Sequence, residues 1–301
     1  MRYTCLTLAA TALFGMTTCL PQLVPYDVST ILAGPFDEYC TYIGPKDAIA
    51  ALGYVAEGPL RGLEATDIYS IVDGNRGAVL LQISGKQSAE FAGLPLQKDG
   101  RFNVKEAELL VFDGDALVRT ATTMTPIALM KEQMKGVIKA PKPSKITLTK
   151  NPQTNRDFRE KLRKTLASLH LNVNLGNGSK NGQFAVPDVE VELDNKIFRG
   201  RDAFIKLVAS DDAGRGAFPR KIYHDAEILV DGKQGAIEYI WQSKQEQEYL
   251  GIPSKNGTMV KVRGMMFFEF NDAGFITKAT NVYDEGVIAA TLSGNATYLY
   301  P

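Results

Sequence analysis

From Asn155 to Leu171, apolar side chains recur at Phe158, Leu162, Leu166 and Leu169 with charges between them, the spacing of a helix that buries one stripe. Thr154 and Asp157 in front of that stripe resemble a capping box. A Gly/Asn loop follows, from Gly176 to Gly182, then short strands around Val189 to Leu193 and Lys196 to Phe198. A helix from Asp202 to about Ser210 would pack through Phe204, Leu207 and Val208. Four longer runs read as strands: Lys221 to Val230, Gly235 to Ser243, Met259 to Phe270 and Phe275 to Tyr283. Turn signals separate them at Asp231-Gly232-Lys233, Pro253 to Gly257 and Asn271 to Gly274, and a short helix from Glu285 to Leu292 closes the segment. In Gly235 to Ser243 the alternation sends Ile237, Tyr239 and Trp241 to one face and Glu238, Ile240 and Gln242 to the other. Helices followed by an antiparallel meander predict an α+β fold, with a curved sheet folded over helices and a cavity between them.

The same pattern is written twice, 158 positions apart. Ser84-Gly85-Lys86-Gln87 through Phe91-Ala92-Gly93-Leu94-Pro95 returns as Gln242-Ser243-Lys244-Gln245 through Tyr249-Leu250-Gly251-Ile252-Pro253. The same shift lays Val72-Asp73-Gly74 on Val230-Asp231-Gly232 and Phe112 on Phe270. A tandem duplication accounts for this. The expected organisation is a secretory signal peptide at 1–20, a first α+β domain at 21–135, a linker at 136–154 with Pro141, Pro143 and Pro152, and a second domain at 155–301.

Composition narrows the chemistry. Thirty-four basic residues balance thirty-four acidic ones, so no net field recruits nucleic acid or an anionic surface. The one local excess, eleven Lys or Arg against three acids from Lys131 to Lys164, reads as a solvated linker running into a charged helix. Three Cys and two His, none at ligand spacing, point to no metal, and no cofactor motif is present. Met1-Arg2 followed by an uncharged apolar stretch suits a secreted chain, the alternative being a retained first helix of repeat one in a cytoplasmic protein. Acceptor sequons at Asn177, Asn256 and Asn295 fit secretion, and Cys19 and Cys40 could pair if cleavage precedes Cys19.

The run from Lys244 through Gly251 to Pro253, the strand from Val260 to Phe270 and the Gly274-Phe275-Ile276 turn resemble the SnoaL-like polyketide cyclase family, part of the nuclear-transport-factor-2-like superfamily. The resemblance covers about Asp188 to Gly294 and, more faintly, Val24 to Lys135. It implies a cone-shaped α+β barrel for each copy, the two pairing within the chain as an intramolecular pseudo-dimer, and a carboxylate acting as general acid and base at the end of the last strand, near a His in a preceding strand. This chain departs from that pattern. The family's aromatic and acidic positions fall on Thr280 and Asn281, the expected His is Met265 or Met266, and the His of the polar stretch is Gln245, matched by Gln87 in repeat one.

What remains for acid–base work is Asp284, with His224 as partner and Asn281 or Tyr283 donating to an enolate oxygen. Trp241, Tyr239, Gln245, Tyr283 and Met266 are the expected pocket lining. Each has a plainer reading. Asp284 precedes a helix and suits an N-cap, His224 suits an ordinary strand position, His170 suits a helix C-terminus or the core edge and Trp241 suits the core. Repeat one has Thr66, Thr123 and Pro126 where repeat two has His224, Asn281 and Asp284, so catalysis is expected in the second half and a structural role in the first. Two functions stay open: a cofactor-independent enzyme that cyclises, isomerises or dehydrates a small hydrophobic carbonyl compound such as a polyketide, or a secreted non-catalytic protein with a relic pocket that binds an apolar ligand or serves a structural role.

Overall fold

The computed structural model describes residues 60–91, 93–112, 118–142, 154–193, 196–209, 217–249, 252–254, 257–283 and 285–294. The expected signal at 1–20, Cys19, Cys40, Asn256, Asn295 and Asp284 lie outside the described residues. The chain divides into two compact units between Gln153 and Thr154. Both are mixed α+β.

In the first unit, β1 (Leu60–Asp73), β2 (Arg76–Gln87), β3 (Arg101–Phe112) and β4 (Val118–Met124) form an antiparallel meander, followed by α1 (Ile127–Met134). Alternate residues of β2 and β3, among them Val79, Leu81, Ile83, Phe102, Val104 and Leu110, enter a core completed by Ile127, Met130 and Met134 of α1. The second unit begins with α2 (Arg156–Asn174). A 3-10 turn (Gly178–Phe184) leads to β5 (Ala185–Leu193), β6 (Lys196–Arg199) and α3 (Arg201–Ala209). Then come β7 (Ile222–Asp231), β8 (Gln234–Lys244), β9 (Met259–Phe270), β10 (Ile276–Tyr283) and α4 (Glu285–Leu292). Among the described residues its strands pair in the order β6-β5-β10-β9-β8-β7, antiparallel except for β5 with β10. The inner face of this sheet carries Val191, Ile237, Tyr239, Trp241, Val262, Met266, Phe268 and Ala279 against Leu162, Leu166 and Leu169 of α2 and Phe204 of α3. Each of those leucines, fully buried, contributes roughly 1.5–3 kcal/mol. The helix start differs from the expected box: the side chain of Asn155 is the cap, accepting from the Phe158 amide at 2.8 Å, while the Thr154 hydroxyl donates to the Gly232 carbonyl at 3.2 Å.

The two meanders share internal detail at the 158-residue spacing. Gly74 and Gly232 take positive φ, 64° and 54°, at the first central position of two-residue hairpins, where a residue with a Cβ is strained. The β1–β2 register slips between Asp67 and Tyr69, and the β7–β8 register slips between Asp225 and Glu227. Gln87 Nε2 donates to the Leu94 carbonyl at 2.9 Å, and Gln245 Nε2 donates to the Ile252 carbonyl at 2.9 Å, each pinning a loop closed by a bridge, Phe91 with Leu94 and Tyr249 with Ile252. Both glutamines are buried, so truncation leaves carbonyls without their partners. Gln87→Ala and Gln245→Ala are each expected to lower stability by about 1–3 kcal/mol, read by urea unfolding of the full chain.

Candidate functional site

Helix α2 is held on β7 by a reciprocal clamp. Asn174 Nδ2 donates to the Tyr223 carbonyl at 2.7 Å, and the Tyr223 amide donates to Asn174 Oδ1 at 2.8 Å. One turn earlier on the same helix face sits His170, 1 % exposed. The clamp sets its position: the imidazole stacks on the Tyr223 ring with centroids 4.2 Å apart and meets the Tyr239 ring edge-on at 5.1 Å. His170 is therefore an interior group, closer to the expected core-edge residue than to a cation at a helix C-terminus.

Strand β7 supplies its partner. Tyr223 and Asp225 face α2 while His224, between them, is exposed on the opposite side. The slip between Asp225 and Glu227 is a bulge directly beyond the carboxylate, a device that re-aims side chains at sheet edges, and β7 is such an edge. Asp225 Oδ1 accepts a hydrogen bond from Nδ1 of His170. His224 does not join Asn281 in one site, because strand alternation turns His224 away from the interior, and Asp284, its expected partner, lies outside the described residues.

Across the sheet, Tyr239 on β8 lies opposite Asp225 on β7 and opposite Gly264 on β9. Gly264 is required for this packing: a Cβ there would stand 2.3 Å from the Tyr239 hydroxyl oxygen. Passing over the glycine, that hydroxyl donates to Oδ1 of Asn281 on β10 at 2.7 Å. Asp225 with His170 and Tyr239 with Asn281 are thus two hydrogen-bonded pairs, joined by the edge-on contact of the His170 and Tyr239 rings into one string carried by four different elements. Its chemistry follows from the ends of the imidazole. With the Nδ1 proton on Asp225, the lone pair of a neutral His170 is at Nε2, and Nε2 is buried with no hydrogen-bond partner. A base oriented by a carboxylate, next to a phenol and an amide that can meet developing negative charge, is the arrangement acid–base chemistry needs.

The other expected residues divide. Met266 is 1 % exposed and pairs with Asn281 on the inner face, and Tyr283, half-buried, packs on the same core. Met265 faces the other way and is also buried. Trp241 is a core residue, 5.7 Å from the Phe218 ring with Lys221 Nζ 4.6 Å above it. Gln245 is committed to its loop rather than to a ligand. Glu238, on the outer face of β8, is buried in an ion pair with Arg263 and serves the sheet. A hollow of about 480 Å³ along α2 is lined by Asp157, Glu160, Lys161, Lys164, Thr165, Ser168 and Phe184, none of them a member of this string. Among the described residues no three His, Cys, Asp or Glu side chains converge as metal ligands, and no helix is long and apolar enough to cross a membrane.

Sequence reasoning missed His170 and Asp225 as a pair. The available signal was periodic: His170 extends the Leu162–Leu166 stripe by one more step of four, and Asp225 shares parity with Tyr223 on the buried side of β7.

No protein-family model matches the chain, and no curated protein matches it in sequence. Similar solved structures include AclR from Streptomyces galilaeus, 15 % identical over 45 % of this chain and 98 % of its own, with a TM-score of 0.39. A SnoaL-like polyketide cyclase from Agrobacterium tumefaciens is 19 % identical over 44 % of this chain and 97 % of its own, with a TM-score of 0.36. The epoxide hydrolase/cyclase-like enzyme SalBIII, associated with pyran ring formation in salinomycin, is 16 % identical over 42 % of this chain and 93 % of its own, with a TM-score of 0.35.

Proposed function

We propose that the chain is a tandem duplication of one SnoaL-like, cone-shaped α+β domain, and that its second unit is a cofactor-independent acid–base enzyme acting on a small hydrophobic carbonyl compound. The duplication is supported by the shared register slips, hairpin turns and glutamine-pinned loops. The enzymatic reading rests on a single observation: the buried His170, with Nδ1 on Asp225, leaves Nε2 unpaired. An unsatisfied buried nitrogen costs about 1–3 kcal/mol, a penalty that a bound C–H acid or its leaving proton removes.

His170 takes the proton from the carbon beside the carbonyl and returns it to the new carbon in isomerisation, to the departing hydroxyl, which leaves as water, in dehydration, or to the new alkoxide in aldol closure. Asp225 holds the ring and stabilises the imidazolium. Tyr239 and Asn281 turn their hydrogen bonds to the oxygen that becomes an enolate, which serves isomerisation, dehydration or an intramolecular aldol closure alike.

The test is α-proton exchange of 2-tetralone in D2O, followed by NMR with the full chain. His170→Gln is expected to lower the catalysed rate by at least about 100-fold and Asp225→Asn by on the order of tenfold. Exchange no faster than in buffer, with tetralone bound, would favour the second reading, an apolar-ligand binder. That reading draws on the Tyr239 hydroxyl being already satisfied by Asn281.

A further inference from the structure

The first unit, expected to be a structural mate without acid–base groups, buries a carboxyl on the inner face of its sheet. On β3, alternate residues Phe102, Val104 and Leu110 enter the core, and Glu106 and Glu108 share their parity. Glu106 is completely buried. Its Oε2 accepts from the Thr125 hydroxyl, and its Oε1 has no hydrogen-bond partner.

Its register neighbours place it at the counterpart of the second unit's polar string. Glu106 lies opposite Leu81, and Leu81 lies opposite Asp67. In the second unit the corresponding row is Gly264, Tyr239 and Asp225. Where one unit fits a tyrosine over a glycine, the other fits a leucine beside a glutamic acid. The polar group has moved from β8 to β3 while keeping its place on the inner face.

We infer that the first unit holds a second ligand site, in which Glu106, braced by Thr125, donates a hydrogen bond from its free oxygen to the carbonyl oxygen of a small uncharged apolar compound. Three observations favour that class. The unpaired oxygen sits on a face made of Leu81, Val104, Leu110 and Met130, so the ligand's body is apolar. Among the described side chains on this face of β3, the other charged group, Glu108, is itself acidic, so an anion is disfavoured. The buried face of α1, with Ile127, Met130, Gln133 and Met134, and the facing residue of β2 add no charge. Burial also pushes the Glu106 carboxyl up to about 7, against a smaller opposing effect of the Thr125 hydrogen bond, so near neutral pH it has a proton to donate.

The inference does not depend on the reaction assigned to the second unit, and its test separates the two. Acetophenone labelled with 13C at the carbonyl is titrated into the full chain, and the bound carbonyl resonance and affinity are followed between about pH 6 and pH 9. The expected result is a downfield bound resonance whose affinity falls on the order of tenfold across that range as Glu106 ionises. In Glu106→Gln the affinity should no longer vary with pH, since the amide cannot ionise, whereas His170→Gln should leave the variation in place. Folding of both variants is checked by near-UV circular dichroism, and Thr125→Val, which removes the brace but not the carboxyl, should lower the affinity without abolishing its pH dependence. Three results would each overturn the site: no downfield resonance at about pH 6, a pH dependence that survives Glu106→Gln, or tighter binding of benzylammonium than of acetophenone, which would make Glu106 an anionic partner for a cation.

Discussion

Gly264→Ala is expected to destabilise the second unit by about 3 kcal/mol or more, an effect of strain and of a lost hydrogen bond together. The added methyl would stand 2.3 Å from the Tyr239 hydroxyl oxygen and 2.5 Å from the ring carbon that bears it. Tyr239 has nowhere to retreat, because it is 1 % exposed and enclosed by the His170 and Tyr223 rings. Tyr239→Phe relieves only the oxygen and leaves the carbon clash, so it should rescue little. Tyr239→Leu should rescue more, since leucine is what the first unit carries at the matching position, Leu81, beside a residue larger than glycine. The double variant Tyr239→Leu with Gly264→Ala should therefore be more stable than the sum of its single changes implies, by on the order of 1–3 kcal/mol. Thermal and urea unfolding of the full chain measure it. Additive effects would mean that Tyr239 does not depend on the glycine.

Glu106→Gln should remove a pH dependence of stability. The folded carboxyl, pushed by burial to about 7, binds its proton more tightly than the ordinary group at 4.5. The stabilisation this gives is complete below the unfolded value, falls as pH rises through the interval from 4.5 to about 7, and is gone above it. Over that interval the wild type should lose about 3 kcal/mol that Glu106→Gln does not. The check is the difference between their unfolding free energies at about pH 5 and pH 8, in which titrating groups that do not interact with Glu106 cancel. A constant difference would show that Glu106 is ionised in the folded state at low pH and matched by a partner.

Much of the second unit was legible because its signals are local. The β9 and α4 limits coincide with the expected Met259 to Phe270 and Glu285 to Leu292, and Ile237, Tyr239 and Trp241 share a face as their alternation requires. Turn glycines and apolar parity carry that information within a few residues. The site was harder to read, because it depends on which face a polar residue takes and on what lies across the fold. His224 drew attention as a strand histidine, yet the buried parity of β7 belongs to Tyr223 and Asp225. His170 looked terminal on a helix that runs on to Asn174, whose side chain anchors it to the strand. Glu106 was passed over because its counterpart is a glycine, so comparing the repeats residue by residue hid a group that one copy gained. Asn281 was identified for its strand position; its contact with Tyr239 spans 42 residues and passes over the bare backbone of Gly264, which spacing alone does not reveal.

The account rests most heavily on the proton arrangement of His170, and the chain contains only two histidines, so the nitrogen spectrum of the 15N-histidine-labelled full-length protein reads it directly. At about pH 8, His224, exposed, should show the averaged pattern of a solvated imidazole, which makes it an internal reference. His170 should show a neutral ring with its proton on Nδ1, shifted downfield by Asp225, and an unprotonated Nε2; Asp225→Asn should disturb that pattern and 2-tetralone should move the Nε2 resonance. A His170 with its proton on Nε2, unmoved by Asp225→Asn and by the ketone, would contradict the account and leave the polar string a structural feature of the core.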